Sequence, residues 1–137
     1  MQKKPSNCLI SNSCWAFSAI AALESQWCIK NNKSISLSEQ QLIDCNVNSL
    51  TGNWVNRTTN IFKNIFSRIF SKACNGGSQA AAYMYILGNN GIQSDSTYPH
   101  QGKLLPCKFN SSSTVATVNG YRRIRPRNET LLQDVIA

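Results

Sequence analysis

The sequence predicts an α+β fold in which helices dominate, and three observations carry that prediction. Ala16, Ala19, Ile20, Leu23 and Trp27 recur at helical spacing and make a single apolar stripe. Two shorter segments, one leading from Ser38 into Cys45 and one running from about Ser78 to Leu87, also read as helices. Thr114–Ile124 is the best strand candidate.

The first helix is expected from about Ser13 to about Asn31, as the central helix of the domain. The second is expected to start at Ser38, whose side chain can cap it while Gln41 reaches back from three residues further on. Leu42 and Ile43 then give it an apolar side next to Cys45. The third passes through Ala80-Ala81-Ala82 and Tyr83-Met84-Tyr85, with Gly88 as a suitable stop. In the strand segment Val115, Thr117, Val118, Tyr121 and Ile124 supply β-branched and aromatic side chains, and Gly120 breaks the run. The closing segment from Asn128 to Ala137 reads as a helix just beginning, with Asn128 as its cap.

A chain of 137 residues fits one domain. Its net charge of +8 raises the question of nucleic acid. However, Lys3-Lys4 and the basic run Arg122–Arg127 are far apart and no nucleic-acid motif frames them, so a solvated basic face is expected. No stretch reaches the roughly 20 consecutive apolar residues of a membrane span. Met1-Gln2-Lys3-Lys4-Pro5 does not have the layout of a signal peptide, and the open helix at the other end points to a product truncated at both ends.

Chemistry concentrates at Cys14, in the run Ser13-Cys14-Trp15-Ala16-Phe17-Ser18. A thiol at the first turn of a buried helix meets unpaired amides and the positive end of the helix dipole, which favour the thiolate nucleophile. The competing reading is a structural cysteine that packs as a small hydrophobe. Six cysteines permit fifteen pairings, and a zinc site is weakly supported because no Cys-x-x-Cys pair occurs and His100 is the one histidine. No metal and no cofactor is expected. Four Asn-x-Ser/Thr triplets start at Asn32, Asn56, Asn110 and Asn128, modest support for a secretory route.

Taken in order, the Cys14 run, Ser36–Cys45, Cys74-Asn75-Gly76-Gly77, Gly91-Ile92 with Tyr98-Pro99, and Cys107 resemble the papain-like cysteine peptidases, the family of the lysosomal cathepsins. The resemblance runs from Cys8 to the end of the chain. It implies a papain-like fold of which this chain is mostly the helical half, the β-rich half with its catalytic histidine being largely missing. It implies Cys14 as nucleophile and disulfides pairing Cys8 with Cys74 and Cys45 with Cys107. Cys28, beside Trp27, is then left as a buried structural thiol. Gly76 and Gly77 match the positions where extended substrate backbone meets the cleft wall, and Ser78 and Gln79 follow at the entrance of the main specificity pocket. In the family a histidine base and an orienting asparagine in an Asn-Ser-Trp segment lie well over a hundred residues beyond the nucleophile. His100 falls in a turn, where it is expected to be a surface residue.

Two departures from the family pattern stand out. Cys8 and Cys14 are separated by five residues where the family has two, and Pro5 stands where the family places an oxyanion-stabilising glutamine, with Gln2 out of register. Between Cys45 and Cys74, residues 46–72 form an insertion with a repeat of Ile and Phe from Ile61 to Phe70 beside basic residues, expected to be surface sequence that does not pack.

The expectation for function is therefore a cysteine endopeptidase by family, with protein or peptide substrates and cystatin-type inhibitors as partners. The full-length relative would be lysosomal or secreted. This chain alone is expected to be inactive, and the alternative is a non-enzymatic remnant or mispredicted fragment that at most binds peptide or an inhibitor.

Overall fold

Helix α1 (Ile10–Asn31) forms around the apolar stripe read from the sequence. Ala16, Ala19 and Ile20 are fully buried, Leu23 is buried, and Trp27 packs against the edge of the core. The structure, a computed structural model, describes residues 10–46 and 73–136. The helix begins three residues before the expected Ser13, since Ile10-Ser11-Asn12 contains neither proline nor glycine to stop it. It ends where Asn32 takes a left-handed conformation, φ 50°, one of the few side chains that tolerate it.

Helix α2 (Glu39–Cys45) is capped by Ser38, whose Oγ accepts from the Gln41 amide at 3.0 Å and donates to the Tyr98 carbonyl at 2.6 Å. The expected return bond from the Gln41 side chain does not form. Gln41 is buried, and its amide group donates to Tyr85 Oη at 3.1 Å and accepts from the Gln93 amide at 2.8 Å. The Ser38 amide goes to the Gln93 carbonyl instead, at 3.0 Å. Tertiary partners thus replace a local one. Asn46, expected as the first residue of the insertion, is buried and closes α2 by donating to the Leu42 carbonyl, so it belongs to the fold. Residues 47–72, the rest of that insertion, lie outside the described residues, as do Gln2, Pro5 and Cys8.

A 3-10 turn at Ala73–Asn75 leads to α3 (Gln79–Gly88), with Ser78 Oγ accepting from the Ala81 amide at 3.2 Å. Gly88 is the last helical residue, but the left-handed position falls at Asn90, φ 57°. The Gly91 amide then reaches back to the Ile86 carbonyl at 3.0 Å. Helices α2 and α3 both pack on α1.

Strand β1 (Ile92–Gln93) pairs antiparallel with β2 (Thr114–Ala116), Ile92 opposite Ala116 and Gln93 opposite Thr114, so the register slips by one residue between them. Gly91 is required here: φ is +142°, and a Cβ would sit 2.9 Å from the Ala116 carbonyl oxygen and 3.0 Å from Thr114 Cβ. The strand expected over Thr114–Ile124 is thus only three residues long, because β1 offers two residues to pair with. Tyr121 instead packs on Tyr83, ring centroids 5.8 Å apart. Helix α4 (Glu129–Ile136) starts as expected, Asn128 Oδ1 accepting from the Leu131 amide at 3.0 Å, with Leu132 and Val135 exposed. Among the described residues no helix is long and apolar enough to cross a membrane.

Candidate active site

Along α1, Ser13 and Trp15 are buried while Cys14 between them is exposed, because successive side chains turn by about 100° around a helix. The thiol faces outward from the central helix with no hydrogen-bond partner among the described residues. Since the helix starts at Ile10, Cys14 is its fifth residue, and the i−4 partner of its amide, the Ile10 carbonyl, lies within the same helix. The expected first-turn position with free amides is therefore not realised, and the dipole effect fades beyond the first turn.

The loop expected to form the cleft wall is tied to this helix by the residue next to Cys14. Trp15 Nε1 donates to the Ala73 carbonyl at 3.0 Å in a buried setting, fixing the 3-10 turn that carries Cys74. Ala73 adopts φ 50°, a left-handed strain of about 1–2 kcal/mol that the surroundings must hold. Gly76 has φ +106° with nothing within 4 Å of where a Cβ would point, so its space is open; Gly77 is exposed. Ser78 spends its hydroxyl on capping α3. Gln79 is exposed and its Nε2 reaches Ser18 Oγ at 3.4 Å. Ser18 is four residues after Cys14, hence on the same side of α1, so Gln79 sits against the face that bears the thiol.

Sequence reasoning did not single out Ser18 or the indole of Trp15. For Ser18 the signal was the four-residue spacing from Cys14. For Trp15 no local signal exists, since its partner is 58 positions away.

Two expectations are corrected. Cys28 is exposed rather than buried: it follows Trp27, the last residue of the apolar stripe, by one position and so points off the core-facing side of the helix. His100 is half-buried rather than a free surface residue. Its ring meets Phe17 edge-on with centroids 5.3 Å apart, and its Nδ1 is buried without a partner. Although Phe17 is three residues from Cys14, His100 forms no hydrogen bond to the thiol.

Behind the helices a polar network braces the Cys45–Cys107 disulfide, which is present as expected. Cys74 is disulfide-bonded too, and its expected partner, Cys8, lies outside the described residues. Asp44 is fully buried; its Oδ1 accepts from Gln40 Nε2 at 2.8 Å and the Leu105 amide at 2.7 Å, and its Oδ2 from Tyr98 Oη at 2.9 Å. Burial pushes the Asp44 carboxyl above the usual carboxylate range despite these three bonds. Burial likewise pushes the Tyr98 phenol up to about 12. A cavity of about 300 Å³ lies alongside, lined by Asp44, Tyr98, Pro99, Leu105 and Lys108 among others.

With this geometry in place, similarity to known proteins becomes decisive. The family described as "Papain family cysteine protease" matches residues 3–137. The chain belongs to that family. It is 35% identical over 125 residues to cathepsin S of Mus musculus, covering 91% of this chain and 32% of that protein. Digestive cysteine proteinase 2 of Homarus americanus is 37% identical over 124 residues, at 90% and 32% coverage. The solved digestive procathepsin L2 proteinase of Tenebrio molitor larval midgut superposes with a TM-score of 0.74 and 29% identity, covering 98% of this chain and 36% of that one. The architecture is accordingly the helical part of the papain fold. The chain spans about a third of the length of the curated relatives it matches.

Proposed function

We propose that this chain supplies the nucleophile-bearing half of a cysteine endopeptidase site, with Cys14 as nucleophile. The observation that carries the proposal is the exposed thiol on the face of α1 that Gln79 closes against. Cys14 Sγ as thiolate attacks the scissile carbonyl. The C–N bond then breaks as the amine leaves with a proton from an acid, and water hydrolyses the resulting thioester. Extended substrate backbone lies along Gly76 and Gly77, where open space and missing side chains permit close approach. Gln79 gives the pocket entrance a polar side chain; Ser78 contributes less, its hydroxyl being engaged as a cap.

The acid and base must be supplied by a group that the described residues do not place beside Cys14, because His100 packs on Phe17 instead. The described residues therefore give Cys14 no general acid–base help, which is commonly worth roughly 10² to 10⁴ in rate. Peptide substrates and cystatin-type inhibitors are the partners proposed, in a lysosomal or secreted setting.

Cys28 provides an internal control for the test, being equally free and exposed. A peptidyl electrophile should label Cys14 in preference to Cys28, while a small alkylating agent should show no such bias, and Gln79→Ala should reduce the preference. Turnover of a fluorogenic dipeptide by the chain should not exceed that of Cys14→Ala plus the rate of a free thiol. Equal labelling of both cysteines by the peptidyl reagent overturns the proposed cleft. Cys14-dependent multiple turnover overturns the proposed lack of a base.

A further inference from the structure

The Asn-x-Ser/Thr triplets stand apart from the peptidase reading. Three of them fall among the described residues: Asn32-Lys33-Ser34, Asn110-Ser111-Ser112 and Asn128-Glu129-Thr130. The three asparagines are exposed, and so are Ser34, Ser112 and Thr130. Asn110 Oδ1 accepts from the Ser112 amide at 3.0 Å, a turn that folds the side-chain amide onto the hydroxyl-bearing residue of its own triplet. Asn128 Oδ1 accepts from the Leu131 amide at 3.0 Å.

In neither case is Nδ2 used, and the Asn32 side chain makes no hydrogen bond among the described residues. Two asparagines outside such triplets do use Nδ2. Asn31 Nδ2 donates to the Trp27 carbonyl and Asn89 Nδ2 to Tyr85 Oη, each at 3.0 Å. A substituent on Nδ2 would break a bond at Asn31 or Asn89 and none at Asn32, Asn110 or Asn128. The Cys45–Cys107 disulfide supplies a second, independent observation, since such bonds form and persist in the oxidising compartments of the secretory route, where asparagine glycosylation also takes place.

We propose that Asn32, Asn110 and Asn128 carry N-linked glycans. Nδ2 forms a bond to the anomeric carbon of an oligosaccharide held on a lipid diphosphate. The anomeric C–O bond breaks, the lipid diphosphate leaves, and one Nδ2 proton passes to solvent. Each acceptor keeps its carbonyl oxygen, so the Asn128 cap of α4 and the Asn110 turn survive the modification. Asn32 lies 18 positions beyond Cys14 at the far end of α1, about 27 Å along the axis at 1.5 Å per residue, which keeps its glycan clear of the thiol.

The test is expression of the full chain behind a cleavable secretion signal in a eukaryotic cell. Enzymatic deglycosylation in heavy-oxygen water then marks each used asparagine as labelled aspartate for peptide mass mapping. Retained and secreted fractions are both read, so that a site used only in one of them is still detected. All three positions should be marked. Asn32→Gln, Asn110→Gln and Asn128→Gln should each remove one glycan step on a gel, and Ser112→Ala should match Asn110→Gln. An unmarked residue at any of the three positions overturns the assignment there. A chain insensitive to the glycosidase, or a shift traced to Asn56 alone, overturns the whole.

Discussion

Trp15→Phe probes whether the Cys14 helix and the glycine loop act as one unit. The wild-type indole is 2% exposed and donates to the Ala73 carbonyl at 3.0 Å, the bond that ties α1 to the turn before Gly76. Phenylalanine keeps an aromatic ring in the core and removes the donor. The Ala73 carbonyl is left buried and unpaired, at a cost of about 1–3 kcal/mol. The smaller ring adds about 1 kcal/mol for lost packing. A total near 2–4 kcal/mol is a large part of the 5–15 kcal/mol typical of a whole domain.

The loss should be seen as a lower urea midpoint at unchanged slope. It should also be local. The left-handed strain at Ala73 is then no longer held, so limited proteolysis should cut within residues 73–78 earlier than in the wild type. Ile20→Val serves as control: it removes one methyl from a fully buried side chain, costs about 0.5–1.5 kcal/mol, and should open no new cleavage site in that turn. A Trp15→Phe loss below about 0.5 kcal/mol, or a loss without faster cutting at 73–78, would refute the coupling.

Other outcomes follow from the same coordinates. Gly91→Ala should cost about 2–4 kcal/mol by chemical denaturation, since the new Cβ meets the Ala116 carbonyl oxygen at 2.9 Å at a strained φ, whereas Gly102→Ala, with φ +67° and open space, should cost about 1 kcal/mol; equal losses would remove the close-approach argument. Burial raises the carboxyl pKa of both Asp44 and Glu39, so the folded state holds their protons more tightly than the unfolded state. Stability should therefore fall as pH rises from the ordinary carboxylate value near 4 through the raised folded values, and thermal melts showing the opposite slope there would contradict it. Tyr85 and Tyr98, both pushed up to about 12, should ionise late in an ultraviolet titration and cost stability as pH rises from about 10 toward 12. Non-reducing peptide mapping after native alkylation should find Cys14 and Cys28 modified and Cys45 joined to Cys107; Cys14 in a disulfide would overturn the assignment of the free thiol.

The elements that could be read from sequence are those set by contacts within a few residues. The stripe from Ala16 to Trp27 specifies one buried helical face, and Ser38 and Asn128 cap helices through bonds to residues three positions away. What could not be read depends on distant partners. The Gln41 side chain has a local option at the Ser38 amide and takes Tyr85 and Gln93 instead, 44 and 52 positions away. The strand beginning at Thr114 stops after Ala116 because its partner is short, a fact absent from its own β-branched composition.

The candidate site divides along the same line. Cys14 and its place on the central helix follow from the residues around it, and so does Ser18 once a helix is assumed. Closure of Gln79 onto Ser18 is a contact over 61 positions, and the Trp15–Ala73 bond spans 58. Those two contacts, on adjacent turns of α1, turn a cysteine on a helix into a cysteine beside a wall. They also separate the two exposed free thiols among the described residues. Cys14 has the loop from Ala73 to Gln79 fastened next to it. Cys28, on the same helix and equally open, has no hydrogen-bond partner to its sulfur among the described residues, and the segment fastened four residues before it, where the Leu37 amide donates to Glu24 Oε1 at 2.8 Å, carries no glycine to admit a peptide backbone. If the proposed cleft holds a peptide along that wall, it raises the local concentration of the carbonyl at Cys14 and not at Cys28, so preference between two chemically identical groups tests the cleft with no need for the base that turnover demands.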